Sequence, residues 1–290
     1  MYKILSFGEI LWDMLPGGKK LGGAPANFAY HCGQFGGGVR LLSRIGNDKL
    51  GLEILEQCRS NGVSTELIGI DETLPTGTVA VQLGADGQPA YTIAENAAWD
   101  FLQATPAALQ WTKQADALCF GTLAFRAEHN RQTLKTLLEA AKPGALRVAD
   151  INLRQPFCER SVIETVLSSA NVLKLNGDEL LYLTGGKDVP PEEQLQMLRE
   201  RYRFRLVILT CGAAGSYLAA EHECVFTPGV CVEVADTVGA GDAFTAVAVL
   251  GFLQHKTLRD IGQQANEAAA YVCTQSGGMP PSCGEFLFLR

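Results

Sequence analysis

From about Lys113 onward the chain alternates between short apolar runs and helical periodicity, and this alternation limits the possible folds more than any other feature. Residues 117–122 form one such run, followed by a helical pattern over 129–141 that Pro143-Gly144 stops. Residues 146–152 and 172–176 read as further strands, each leading into helical periodicity, and 206–210 follows a helix opened by Pro190-Pro191. Residues 241–255 are apolar all round, as a buried helix should be, and 259–275 read as an alanine-rich helix. Repeated strand–helix units imply a mostly parallel sheet covered on both faces. The 31 glycines among 290 residues suit many tight turns. Two stretches break the pattern. Residues 11–15 prolong a first strand over 4–10, and 78–84 with 89–95 flank Ala85-Asp86-Gly87-Gln88, where Asp-Gly between alternating runs signals a hairpin. These short strands predict a small sheet over one edge of the core, placed to act as a lid on a ligand beyond the strand ends.

Composition closes off several classes. With 24 Lys+Arg against 31 Asp+Glu the formal net charge is −7, which argues against nucleic acid as a partner. The dense basic stretch Arg199, Arg201, Arg203 and Arg205 reads as a solvated face. No apolar stretch reaches the roughly 20 residues of a membrane helix. Nine cysteines are present, but there is no CxxC pair, and Met1-Tyr2-Lys3 runs straight into a strand instead of a secretory apolar region. The expectation is a cytoplasmic protein with no disulfide framework, no membrane contact and a small-molecule substrate.

The most informative run is Asp236-Thr237-Val238-Gly239-Ala240-Gly241-Asp242-Ala243-Phe244. Two glycines flank a small residue at the opening of a long helix, so main-chain N–H groups there can approach an anion closely. Asp242 falls in the first helical turn. It is either a dipole-favoured cap or a base held beside an anion hole, and spacing alone does not separate the two. Asn176-Gly177-Asp178-Glu179 after a strand is a capping box on local grounds. Thr210-Cys211-Gly212-Ala213-Ala214-Gly215 is a glycine turn between strands. A nicotinamide-binding fingerprint is excluded because no G-x-G-x-x-G follows the first strand, and Gly18-Lys19-Lys20 and Gly186-Lys187-Asp188 lack the rest of a P-loop.

The 236–244 block resembles the C-terminal signature of the PfkB (ribokinase-like) carbohydrate kinases. Gly22-Gly23-Ala24-Pro25-Ala26-Asn27-Phe28-Ala29 resembles their N-terminal signature in its fructokinase form, with Ala24 where ribokinase-type signatures usually carry Lys. The blocks stand in family order near opposite ends, so the resemblance covers nearly the whole chain. It implies a three-layer αβα fold, one catalytic domain over 1–290, and a β-sheet lid formed by about 11–20 and 75–96.

The resemblance also implies roles. Asp242 matches the base that activates the sugar hydroxyl, and Gly239, Ala240 and Gly241 match the anion hole. Asp13, Gly22, Gly23, Asn27 and Arg154 (in Asp150-Ile151-Asn152-Leu153-Arg154) match the sugar side, with Arg126 a further candidate. Asn176, Thr210, Gly212, Gly215 and Asn266 match the ATP side; on local grounds Asn266 reads equally as an exposed residue of its helix. Glu179 matches the Glu that orders water around Mg²⁺. Asp236, Val238 and Ser282 match a monovalent-cation site, a place for K⁺, although Gly277-Gly278-Met279-Pro280 carries an extra residue against the ribokinase pattern. The implied activity is transfer of the γ-phosphate of MgATP to a primary hydroxyl of D-fructose. Alternatives are a 2-keto-3-deoxygluconate kinase, a ribose or nucleoside kinase, and, from another class, a catalytically silent sugar- or nucleotide-binding regulator. Apolar alternation at Val79, Val81 and Leu83 would let two lids pair as a homodimer if it faced outward.

Overall fold

The computed structural model describes residues 1–15, 17–83, 89–154, 156–157, 159–186, 189–221 and 223–281, with the backbone alone for 81–83 and 89–91. The first half of the chain contains β1 (Lys3–Phe7), β2 (Leu11–Leu15), β3 (Gly18–Gly22), α1 (Ala24–Gln34), β4 (Gly38–Gly46), α2 (Lys49–Ser60), β5 (Ile68–Asp71), β6 (Thr78–Leu83), β7 (Pro89–Ile93), α3 (Pro106–Thr112) and β8 (Ala117–Gly121). The second contains α4 (Glu128–Ala140), β9 (Leu146–Asp150), α5 (Arg160–Ser169), β10 (Val172–Asn176), α6 (Gly177–Thr184), α7 (Pro191–Tyr202), β11 (Leu206–Thr210), β12 (Gly215–Ala219), β13 (Cys224–Pro228), α8 (Ala240–Leu253) and α9 (Leu258–Cys273).

Among the described residues the central sheet runs β13-β12-β11-β10-β9-β8-β1-β4-β5, parallel except for the antiparallel edge β11-β12-β13. Successive side chains alternate between two cores, as a sheet covered on both faces requires. Ile4, Ala117, Cys119 and Val148 join the layer of α1, α2, α8 and α9. Leu5, Phe7, Leu118 and Phe120 join the layer of the remaining helices. The apolar run in α8 is explained by its position: Ala243 through Gly251 are buried, and the helix packs between α1 and α9.

Strand β1 pairs with both β4 and β8, so chain order runs outward in both directions from that point. A crevice forms beyond the strand ends where the order reverses, and ligands bind there in open α/β sheets. Gly8-Glu9, Gly121-Thr122 and the segment after Asp150 all leave the sheet at this crevice.

A second sheet, β3-β2-β6-β7, stands apart from the first. It differs from the sequence expectation in two ways. The stretch 11–15 does not prolong β1; residues 8–10 break the strand and β2 starts a new sheet. Gly18–Gly22 pairs with β2 as a strand that glycines and lysines had disguised. Thr78–Leu83 and Pro89–Ile93 pair antiparallel as anticipated, while the turn 84–88 lies outside the described residues. Val79 is only 6% exposed, so this residue offers no outer face; the side chains of Val81 and Leu83 are outside the described set. Asp48 pins the approach to β6 by accepting from the Gly51 N–H and from both the N–H and the hydroxyl of Thr76.

Candidate active site

The opening of α8 is built by close packing. Gly239, the N-cap, has φ +80, and a Cβ there would come within 2.6 Å of Cα and the carbonyl oxygen of Gly278. Only glycine allows both the conformation and the approach. Ala243 N–H closes the first turn on Gly239 O at 2.9 Å, and Ala240 N–H is drawn to Thr237 O at 3.3 Å. Among the described residues no partner takes the N–H groups of Gly239, Gly241 or Asp242. The donors left for an anion are therefore these three, with Asp242's own amide in place of Ala240's.

Asp242 is half-buried, and the Asn27 side-chain amide donates to its Oδ2 at 2.8 Å. Burial first, then the charge of Asp150, push its pKa up to about 7, against the opposing pull of Asn27, Lys174 and Arg154. Glu9, just past β1, is 4% exposed, and its pKa also rises to about 7, from burial first and the Asp242 charge among the rest. Burial is thus the main cause of both raised values. Glu9, Thr122, Asp150, Asn152 and Asp242 line one cleft at the crevice.

On the small-sheet side, Asp13 faces this region from β2, paired in register with Lys20. Burial raises its pKa, opposed by Arg154 and Lys20. A Cβ at Gly22 would displace the Asp13 carboxylate from its present position, and Gly23 caps α1 with its Cβ direction blocked by Glu9 O at 2.6 Å. Arg154 is exposed, and its charge opposes the rise in pKa of Glu9, Asp13 and Asp242 alike. Asn27 makes a contact that the sequence did not suggest. Its amide orients Asp242, and its buried Oδ1 has no partner among the described residues.

On the other side, Asn176 and Glu179 form the full capping box: Glu179 N–H donates to Asn176 Oδ1 at 2.9 Å and Asn176 N–H to Glu179 Oε2 at 2.8 Å. Glu179 Oε1 also accepts from Leu153 N–H at 2.9 Å. Each carboxylate oxygen keeps a second lone pair, so Glu179 fits a water-mediated Mg²⁺ contact. Thr210 lies half-buried at the end of β11, and Gly212 stands in left-handed conformation with open space where a side chain would be. Gly215 differs: the backbone around Thr227 fills the position of a Cβ, so this glycine serves sheet packing. Asn266 is 7% exposed, not a solvent-facing residue, and its amide donates to the carbonyls of Thr227 and Pro228.

Asp236 accepts from Val238 N–H at 3.1 Å, Gly277 N–H at 3.0 Å and the Lys20 ammonium at 3.3 Å. Burial would raise its pKa, but these donors outweigh burial and hold it low. The anionic carboxylate has the chemistry to help hold a monovalent cation. Ser282 lies outside the described residues.

Arg126 is tied into the fold by its own contacts, although its buried Nη1 has no partner among the described residues. It forms an ion pair with Asp100 at 2.7 Å, donates to Ala94 O at 2.6 Å, and lies between the rings of Trp99 and Phe157. Its work is to fasten the return from the small sheet to the core. Sequence reasoning passed over Glu9 and Lys174. Lys174 pairs with Asp150 at 3.0 Å beneath α8, both residues being buried, and the signal was a charge inside an otherwise apolar strand.

A doubly wound α/β sheet with free helix-opening amides beside a near-neutral carboxyl defines a group-transfer enzyme acting on a hydroxyl. The model of the pfkB family carbohydrate kinases matches residues 14–283, and the chain belongs to that family. Fructokinase-1 of Oryza sativa subsp. japonica is 31% identical, with 96% of this chain and 93% of that protein covered. The fructokinase of Xylella fastidiosa, solved with bound ATP, superposes with a TM-score of 0.86 at 25% identity, covering 99% and 97% of the two chains. The fructokinase of Vibrio cholerae O395, solved with fructose, ADP and calcium ion, gives 0.84 at 25% identity, covering 100% and 99%.

Proposed function

We propose that this chain is an ATP-dependent fructokinase that transfers the γ-phosphoryl group of ATP to a primary hydroxyl of D-fructose, the terminal one at C6. The observation that carries the reading is the placement of Asp242, aimed by Asn27 at 2.8 Å, beside the unpartnered amides that open α8. Support for fructose comes from the Gly22-Gly23-Ala24-Pro25-Ala26-Asn27 form and from fructokinases being similar over nearly the full chain.

In this reading Asp13 accepts hydrogen bonds from sugar hydroxyls, with Gly22 and Gly23 admitting the ring and Arg154 closing over it. Asp242, ionised above about pH 7, removes the proton of the attacking hydroxyl as the oxygen approaches the γ-phosphorus. The N–H groups of Gly239, Gly241 and Asp242 take up charge on the transferring group. Mg²⁺, when bound through water to Glu179, supplies charge neutralisation at the phosphates. A K⁺ ion at Asp236 and the Val238 carbonyl would reinforce the α8 opening. Thr210, Gly212 and the Asn176 end of β10 border the nucleotide, and the small sheet closes to exclude water. The seven described cysteines are free thiols, which suits a reducing cytoplasm, and no helix among the described residues is long and apolar enough to cross a membrane.

A coupled ADP-release assay across fructose, 2-keto-3-deoxygluconate, ribose, glucose and adenosine tests the assignment, and sedimentation of the same preparation reads out pairing through the small sheets. Fructose should give the highest kcat/KM. A tenfold preference for another sugar, about 1.4 kcal/mol of transition-state discrimination, would overturn the substrate, and no turnover with any would favour the silent regulator.

A further inference from the structure

We infer that the buried Lys174–Asp150 pair is a positioning device that sets the charge state of Asp242 and braces the α8 opening from below. The inference rests on the kinase reading of that site. Lys174 on β10 and Asp150 on β9 are register partners, each 7% exposed, with Nζ donating to Oδ1 at 3.0 Å. A Cβ added to Gly241 would lie 3.3 Å from the Lys174 ammonium, so the cation sits directly against the first turn of α8. Asp150 Oδ2 faces Thr245 Oγ1 at 3.4 Å, and that hydroxyl donates to Gly241 O at 2.8 Å. The pair therefore reaches the residue whose amide belongs to the anion hole from two sides.

A buried ion pair rarely stabilises a fold more than apolar residues of equal volume would. Its position offers a different reason for it. Burial alone would strip Lys174 of its proton, but the charges of Asp150, Glu179 and Asp242 outweigh burial and keep it an ammonium. Lys174 in turn favours the ionised base, while Asp150 opposes it. The other groups facing Asp242 are Glu9 from the end of β1, the Cys119 thiol of β8, which burial keeps protonated, Arg154 from the segment after β9, and the neutral Asn27 from α1. These stay in place when only the pair is altered.

The test uses full-length Lys174→Met, Asp150→Asn and the double variant, comparing the acid limb of kcat/KM against pH with saturating MgATP. Lys174→Met should move the limb to higher pH and Asp150→Asn to lower pH, each by about one unit, a tenfold change in proton concentration. The double variant should return close to the wild type. If Lys174→Met fails to fold, the downward shift in Asp150→Asn and its reversal in the double variant decide the matter. The same opposed shifts should appear, without turnover, in the pH dependence of the unfolding midpoint. A wild type that phosphorylates no sugar would refute the kinase reading and leave that second measurement standing. Shifts of one sign in both single variants, or none in either measurement, would overturn the inference.

Discussion

Replacing Asp242 with Asn separates chemistry from stability, because the same carboxyl serves one and costs the other. An Asp whose folded pKa is about 7 against an ordinary 3.8 holds its proton in the folded chain across a range where the unfolded chain has released it. Stability from this group is fully present below pH 3.8 and is lost as pH rises through about 7. Roughly three units correspond to about 4 kcal/mol as an upper limit. Asp242 is half-buried in an open cleft, and solvent screening reduces the figure to about 2 kcal/mol. Asn does not titrate, so Asp242→Asn should match the wild type near pH 4 and exceed it at pH 8, by roughly 5 °C in unfolding midpoint.

Catalysis should move the opposite way. Loss of a positioned general base costs about 10²–10⁴-fold in kcat, while Asp13 and the amides at the helix opening leave fructose binding by calorimetry nearly intact. Thermal unfolding at several pH values, run beside the ADP-release assay, reads both effects. A variant turning over within tenfold of wild type would refute the base assignment. An unfolding difference independent of pH would refute the account of a buried carboxyl held protonated.

Three further perturbations act on neighbouring parts. Gly239→Ala should lower kcat by about 10²–10³ with little change in fructose KM, since a left-handed alanine and a Cβ 2.6 Å from Gly278 O displace the amides at the anion site; steady-state kinetics check it. Glu9→Gln removes a second carboxyl whose pKa stands near 7 against an ordinary 4.5, so the loss of stability between those pH values should flatten, measured by pH-dependent unfolding, while kcat stays within tenfold of wild type. Arg126→Ala should destabilise by about 3–5 kcal/mol in denaturant titration by leaving Asp100 buried without its cation, and a variant as stable as wild type would refute that bracing role.

The parts of this fold that could be read from sequence were those in which one residue's environment follows from its neighbours along the chain. The apolar run of α8 could be buried in only one way, and the 117–122 and 206–210 runs became β8 and β11 within a residue or two. Gly239-Ala240-Gly241-Asp242 announced a helix opening that an anion can approach closely, while its spacing left the role of Asp242 open. The misses depended on partners distant in sequence. Lys174 between Leu173 and Leu175 makes sense only once β9 brings Asp150 alongside. Asn27 faces Asp242 across 215 positions, so its role as an orienter could not be told from a role as a sugar ligand. Arg126 after β8 gives no sign in sequence of Asp100, Trp99 and Phe157, which surround it in the fold. Strand β3 has no alternation of its own and exists because β2 pairs with it.

The division between two sheets bears on how such a site prefers a sugar to water. The carboxylate that would grip the sugar, Asp13, belongs to the small sheet, whereas the base, Asp242, belongs to the core helix α8. A water molecule beside Asp242 could be activated by the same group, but it cannot touch both bodies at once. A polyol spanning them draws the sheets together, and Lys20, which faces Asp13 in register and reaches Asp236 at 3.3 Å, already links the small sheet to the loop before α8. Binding energy from hydroxyls remote from the reacting one would then be spent on closing the site around the base and the amides. In that case a substrate lacking those hydroxyls loses kcat and not merely affinity.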